Sequence, residues 1–170
     1  MRRKFLLLFI GLPFVFSACN NATESTASES KATNSVAEKN LTSNRIVTEA
    51  FQTGDPSKID SAVAKDFVDH RDYGDVSGPD SLKAMITQMK KTMPDVKTEV
   101  LKEVGDDDYV FTLIHFSGNS DGTMGMPKGP FDMHSVEVTK FKDGMAVEHW
   151  GYMQPKEMMK MMPPPPAPKK

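Results

Sequence analysis

The order of patterns along the chain predicts an α+β fold, with helices packed on one face of a curved antiparallel sheet. Two observations carry this. Apolar residues recur at helical spacing from residue 44 to 94, and the period drops to two from residue 97 to 154. Within the second stretch, a Lys-Asp-Gly turn at Lys142 to Gly144 signals a hairpin. Helices first and a strand meander afterwards is the ordering of an α+β domain.

The elements follow in turn. "SNRIVTEAFQTGD" places Ile46, Val47, Ala50 and Phe51 on one helical face and ends at Gly54. "DPSKIDSAVAKDF" offers Asp55 as an N-cap and Pro56 at the first helical position. It predicts a second helix with Ile59, Ala62 and Val63 inward. "FVDHRDYGDVSGP" reads as a loop or irregular strand. "DSLKAMITQMKKTMP" is the strongest helix, with Asp80 as cap, a stripe of Leu82, Met85, Ile86, Met89 and Met93, and Pro94 as stop. Four alternating segments come next: "VKTEVLKEVGD", "DYVFTLIHFSG", "FDMHSVEVTKFKDG" and "MAVEHWGYMQ". A short helix, "PKEMMKMM", closes the domain.

Both ends differ from this middle. "MRRK" followed by "FLLLFIGLPFVF" is a charged stretch and then an apolar one too short for a comfortable membrane span, the pattern of an export signal. "FSAC" then leads to the only cysteine, Cys19. A small-residue site ending in cysteine resembles a bacterial lipobox. The resemblance implies cleavage before Cys19 and lipid on that residue; the alternative is an ordinary cleaved signal peptide. Residues 1–18 are thus the expected signal, and 19–42 a flexible Ser/Thr/Asn/Glu-rich tether. Residues 43–162 form the domain, and 163–170 an extended Pro-rich tail.

Loss of Arg2, Arg3 and Lys4 leaves 18 basic residues against 23 acidic ones, a net charge of −5. With no basic run, the chain lacks the footprint of a nucleic-acid binder. Membrane attachment would come from the lipid on Cys19, which places the protein in a bacterial cell envelope, in the periplasm or on the outer surface.

Four pieces in order carry a family resemblance: "DFVDH"; "GPDSLKAMITQMKKTMPDV"; "MGMPKGPF"; and "FKDGMAVEHWG". Over about residues 44 to 162 the chain resembles the SnoaL-like polyketide and ester cyclases of the nuclear-transport-factor-2-like superfamily. The resemblance implies a cone-shaped α+β barrel with three N-terminal helices on the sheet and an apolar pocket between helices and sheet. It implies proton chemistry on a small molecule with no metal or cofactor. It also implies an acid on the last strand, four residues after the Trp of "EHW". That position is Gln154, which cannot move a proton at ordinary pH.

On a strict two-residue period, Glu148, Trp150, Tyr152 and Gln154 share a face, opposite Val147, His149, Gly151 and Met153. The resemblance puts the Gln154 face in the pocket. Trp150, Tyr152 and Gln154 then bind ligand together with Phe67 of "DFVDH". The catalytic candidates are His70 at the pocket edge, His134 and Gln154. His70, oriented by Asp69 or Asp72, suits a base near neutral pH; it also suits a solvated loop. His134 faces with Val136 and Val138 and fits the pocket or a satisfied interior site equally. His149, of opposite parity, reads as structural, and His115 is left unassigned. The methionine stripe Met85, Met89 and Met93 reads as core filling, so no metal site is assigned.

The resulting expectation is a lipid-anchored domain that holds a small apolar or carbonyl-bearing molecule. The alternatives are a cyclase, isomerase or hydrolase with histidine-based proton transfer, and a structural domain that pairs with a second copy through the outer sheet face.

Overall fold

The structure, a computed structural model, describes residues 35–72 and 74–162. Cys19, the signal segment, most of the tether and the Pro-rich tail lie outside them. Ser35 caps α1 (Val36–Thr53), its hydroxyl accepting from the Glu38 amide at 3.2 Å. Residues 36 to 42, assigned to the tether by composition, are therefore helical. Hydrogen bonds, together with Leu41 packed against the core, dock this first part of α1. The Asn40 side chain, fully buried, donates to the carbonyls of Asp106 and Asp107 at 3.0 Å each. Ser43 donates to the Gly144 carbonyl at 2.6 Å. Gly54 ends the helix with φ at 78°, and a Cβ there would meet Lys90 Cγ at 2.6 Å.

The expected second helix is only a 3-10 turn, Ile59–Ser61. The chain then runs straight into β1 (Val63–His70), with Val63, Phe67 and Asp69 buried. The apolar spacing there fits either period, and pairing with the last strand decides for the strand. The domain thus packs two long helices on its sheet, not three. A two-residue strand, β2 (Val76–Ser77), pairs with β1. In α2 (Pro79–Thr92) the cap is Gly78, with Pro79 at the first position; Asp80 lies in the first turn, where its charge suits the helix N-terminus.

The remaining strands are β3 (Lys97–Gly105), β4 (Tyr109–Ser120), β5 (Gly129–Lys142) and β6 (Met145–Met153), followed by α3 (Pro155–Met161). The six-stranded sheet has the order β2-β1-β6-β5-β4-β3. All pairings are antiparallel except β1 with β6, which is parallel. The expected hairpin is present: Asp143 and Gly144, with φ of 54° and 82°, join β5 to β6.

The main core lies between the helices and β1, β4, β5 and β6, around Ile59, Phe67, Ile86, Val110 and Phe141. A second cluster, Met89, Met93 and Val96, packs against Phe116, Met126 and Phe131. One irregularity decides which residues meet the interior. Phe141 pairs with Ala146 but Lys140 pairs with Glu148, so Val147 is an extra residue on β6. This bulge flips the alternation of everything after it. Ala146 points in, and so do His149, Gly151 and Met153.

Candidate functional site

A cavity of about 400 Å³ opens between α1, α2 and the concave sheet face. A recess of about 50 Å³ adjoins it, lined by Phe67, Leu82 and Ala146 among others. Six methionines contribute to the main wall: Met85 and Met89 from α2, Met124 and Met126 from the β4–β5 loop, Met133 from β5 and Met153 from β6. Val47, Phe51, Ile114 and Phe116 add to the apolar surface. Thioether side chains are unbranched and polarizable, so this wall can adjust to its occupant. The Met124 sulfur accepts from Thr92 Oγ1 at 3.3 Å, which ties the loop to α2.

One stretch of wall is ionic. Ser135, Glu137 and Thr139 alternate along β5, and His149 and Gly151 stand opposite on β6, with Thr139 paired to His149 and Glu137 to Gly151. His149 Nδ1 lies 2.8 Å from Asp69 Oδ1, and its Nε2 lies 3.0 Å from Glu137 Oε2. Asp69 Oδ2 accepts from Arg71 Nε at 2.6 Å, and Glu137 Oε1 accepts from the Ser135 hydroxyl. Charges therefore alternate along the chain Arg71, Asp69, His149, Glu137. Two carboxylates on one imidazole require both ring nitrogens to donate, which is the imidazolium form.

Burial opposes that charge on His149, but the bonds to Asp69 and Glu137 outweigh it and push the pKa up to about 9. For Asp69 burial again acts against ionisation, and the bonds from His149 and Arg71 overcome it, holding the carboxyl below the ordinary range. The His149 side chain lies deep in the domain yet keeps 27% of its surface open, because it faces the cavity.

The residues read from sequence are distributed differently. Phe67 is buried and lines the adjoining recess. Gln154 follows the last strand as the N-cap of α3 and does not line the cavity. Trp150 and Tyr152 share a face, as the alternation predicts, but it is the outer face and not the cavity face that the resemblance implied. Tyr152 is 57% exposed. His70 lies on that same outer face. It stacks on Trp150 with centroids 4.8 Å apart and contacts Asp75 and Glu148 at 3.0 and 3.3 Å. The Asp75 carboxylate, then Glu148, holds the His70 pKa above its usual value.

His134 is exposed on the outer face, stacked at 4.8 Å on His115, its partner across the β4–β5 pairing. Neither ring lines the cavity. The outer face also carries an apolar row across three strands, Leu113, Val136 and Tyr152, with Phe111 alongside.

The residues that sequence reasoning missed as a site are Asp69, Glu137 and His149. A signal for Glu137 was present. It alternates with Met133, Ser135 and Phe141 on β5, so an acid sits among inward positions. Among the described residues, no group of three or more His, Cys, Asp or Glu side chains could hold a metal ion.

With this geometry in view, the sequence matches the family model of SnoaL-like polyketide cyclases over residues 42–161. The chain belongs to that family. No curated protein matches it in sequence. Among solved structures, it is similar to TsrD from Streptomyces laurentii (TM-score 0.63, 20% identity, 73% of this chain and 94% of that one). It is similar to a protein from Jannaschia sp. CCS1 assigned as a SnoaL-like polyketide cyclase (TM-score 0.64, 16% identity, 78% and 97%). It is also similar to an LEH-like epoxide hydrolase from M. tuberculosis (TM-score 0.61, 14% identity, 75% and 86%). At these identities the likeness establishes the fold.

Proposed function

We propose that this protein is an exported, lipid-anchored member of its family that holds a small, neutral molecule, apolar or carbonyl-bearing, in the cavity. The observation that carries this is an apolar cavity of about 400 Å³ with one short ionic stretch of wall. Apolar walls with a few convergent polar groups are the general form of a small-molecule site. The charges on Arg71, Asp69, His149 and Glu137 cancel, which favours a neutral occupant over an anion or cation. The lipid anchor on Cys19 rests on the leader sequence alone.

A second reading is turnover by histidine-based proton transfer, as in a cyclase, isomerase or hydrolase. The ionic chain reaching the cavity favours it, with His149 in the place first considered for His70 or His134. A third reading, pairing of two copies, draws on the exposed row Phe111, Leu113, Val136 and Tyr152.

Mass spectrometry of the full chain extracted from a bacterial envelope tests these readings. The intact chain is expected to carry lipid mass that is absent in Cys19→Ser. Under native conditions it is expected to retain a small molecule that is lost in Met133→Trp, which fills the cavity, and kept in Trp150→Ala. A bare mass in every preparation would sink the binding reading, and the subunit count decides the third.

A further inference from the structure

We infer that the cavity holds its occupant by a hydroxyl group, bound between Glu137 and Thr112, so that the ligand is a neutral alcohol or phenol. The inference rests on the binding reading above and names the group by which the molecule is recognised.

One row of residues crosses four strands of the sheet. Gly151 on β6 pairs with Glu137 on β5, Glu137 with Thr112 on β4, and Thr112 with Glu103 on β3. Gly151, Glu137 and Thr112 line the cavity. Glu137 and Thr112 each lack a partner, and what each lacks is complementary.

Thr112 has a hydrogen to give. Its hydroxyl oxygen accepts from the Asn44 amide nitrogen at 2.9 Å, and the same nitrogen donates to Glu103 Oε1 at 2.8 Å. A carboxylate only accepts, so Glu103 fixes which end of the Asn44 amide meets Thr112. The Thr112 hydroxyl is thus engaged as an acceptor, and among the described residues nothing accepts its own hydrogen. Thr112 is 2% exposed, so bulk water does not serve that hydrogen either. An unmet buried donor is costly, and a partner inside the cavity removes the cost.

Glu137 has the opposite need. Oε1 takes the Ser135 hydroxyl and Oε2 takes His149 Nε2. A carboxylate has about four lone-pair sites, so two remain for incoming donors. The side chain keeps 26% of its surface open.

The two groups stand side by side. Directly opposed residues of an antiparallel pair have Cβ atoms about 4.5–5.5 Å apart. Among the described residues no hydrogen bond joins Glu137 to Thr112. One oxygen between them, at about 2.7–2.8 Å from each, closes the gap. It has to donate to Glu137 and accept from Thr112, and a hydroxyl does both. A carbonyl or ether oxygen cannot donate, and an ammonium group cannot accept. An anionic oxygen would face the Glu137 charge. Bare Gly151, next along the row, keeps the approach clear, since a Cβ there would stand 3.0 Å from Glu137 Oε2. Ile114, Met133 and Met153 on the neighbouring rows receive the apolar remainder of the molecule. A water molecule meets the same two demands, and the experiment separates the two sources.

The test titrates the full chain with three probes on one bicyclic frame: 2-tetralol, 2-tetralone and tetralin, which are an alcohol, a ketone and a hydrocarbon. Saturation-transfer NMR reports binding, and competition gives the Kd values. The alcohol is expected to bind at least about tenfold more tightly than the ketone, whose oxygen meets Glu137 with nothing to donate. Glu137→Gln offers the ketone an amide hydrogen and should cut that preference below about threefold. Thr112→Val should weaken the alcohol about tenfold and leave tetralin unchanged, and Thr112→Ser should keep the preference. Glu137→Gln, which leaves the Asn44 bond in place, decides if Thr112→Val loses tetralin as well. Trp150→Ala, on the outer face, should keep the preference too. Equal binding of alcohol and ketone by the wild-type protein, or a preference that survives in Glu137→Gln, overturns the inference: water alone then fills the gap, and the binding reading stands. Absence of binding by all three probes overturns both.

Discussion

His149→Ala is expected to lower the unfolding free energy by about 3 kcal/mol near pH 7, because it removes the shared partner of two carboxylates. Deleting one member of a buried ion pair typically costs about 3–5 kcal/mol, since the other is stranded away from water. The low end applies here. Asp69 keeps Arg71, and Glu137 keeps Ser135 and borders an open cavity. The dependence on pH separates this from a simple packing loss. His149 titrates at 6.5 when unperturbed and is raised to about 9 in the folded protein. Its charge therefore contributes fully below about pH 6.5, and the contribution is lost as pH rises through about 9. Urea unfolding at pH 6 and pH 10 is the measurement. The wild-type protein is expected to lose about 2–3 kcal/mol more than His149→Ala over that interval. An equal loss in both proteins would mean that the imidazolium is not what binds the two strands.

The same residue shows where the sequence could and could not be read. The hairpin, α2 and the four later strands were legible, because each has a period and a terminator of its own: the Asp143-Gly144 turn, Pro94 after α2, Gly54 after α1. The start of α1 was not, because Asn40 and Ser43 dock it through hydrogen bonds to residues 66, 67 and 101 positions away. Polar anchoring leaves no trace in a hydropathy pattern. β1 was misread because Ile59, Ala62 and Val63 fit a helical face until β6 claims the segment as a parallel neighbour. The site failed for a related reason. A pocket facing the concave sheet was expected, and the strand that bears His149 was identified. The strand groups His149 with Gly151 and Trp150 with Tyr152 as expected, but the resemblance put the second group in the cavity; with the bulge at Val147, it is the first that shares the inward face of Ala146. A bulge depends on strand partners, so alternation along one strand cannot reveal it. The partner strand carried the clue, since β5 places Glu137 in phase with buried Met133 and Phe141 without interruption.

Gly151→Leu is expected to abolish binding of 2-tetralone, a neutral bicyclic ketone of the class proposed for the cavity, while leaving the unfolding free energy within about 1 kcal/mol of wild type. The two halves of this result come from different physics. A glycine inside a strand is intrinsically weak, with more backbone entropy to lose and no side chain to pack, so replacement there is favourable if there is space. The cavity that Gly151 lines supplies that space. A leucine entering a filled core would be overpacked and would cost about 1–3 kcal/mol. Entering the cavity, its side chain meets the Met133 and Met153 walls and gains contact. The first atom added also reaches Glu137. A Cβ stands 3.0 Å from Glu137 Oε2, so the carboxylate must give by a few tenths of an ångström, against its bonds to His149 and Ser135. Gly151→Ala isolates this effect: it should bind the ketone nearly as well as wild type. Titration by saturation transfer beside urea unfolding decides the matter. Lost binding with retained stability assigns Gly151 to making room for the ligand. Lost stability in both variants would mean that the glycine serves packing, and that the space above it is no site.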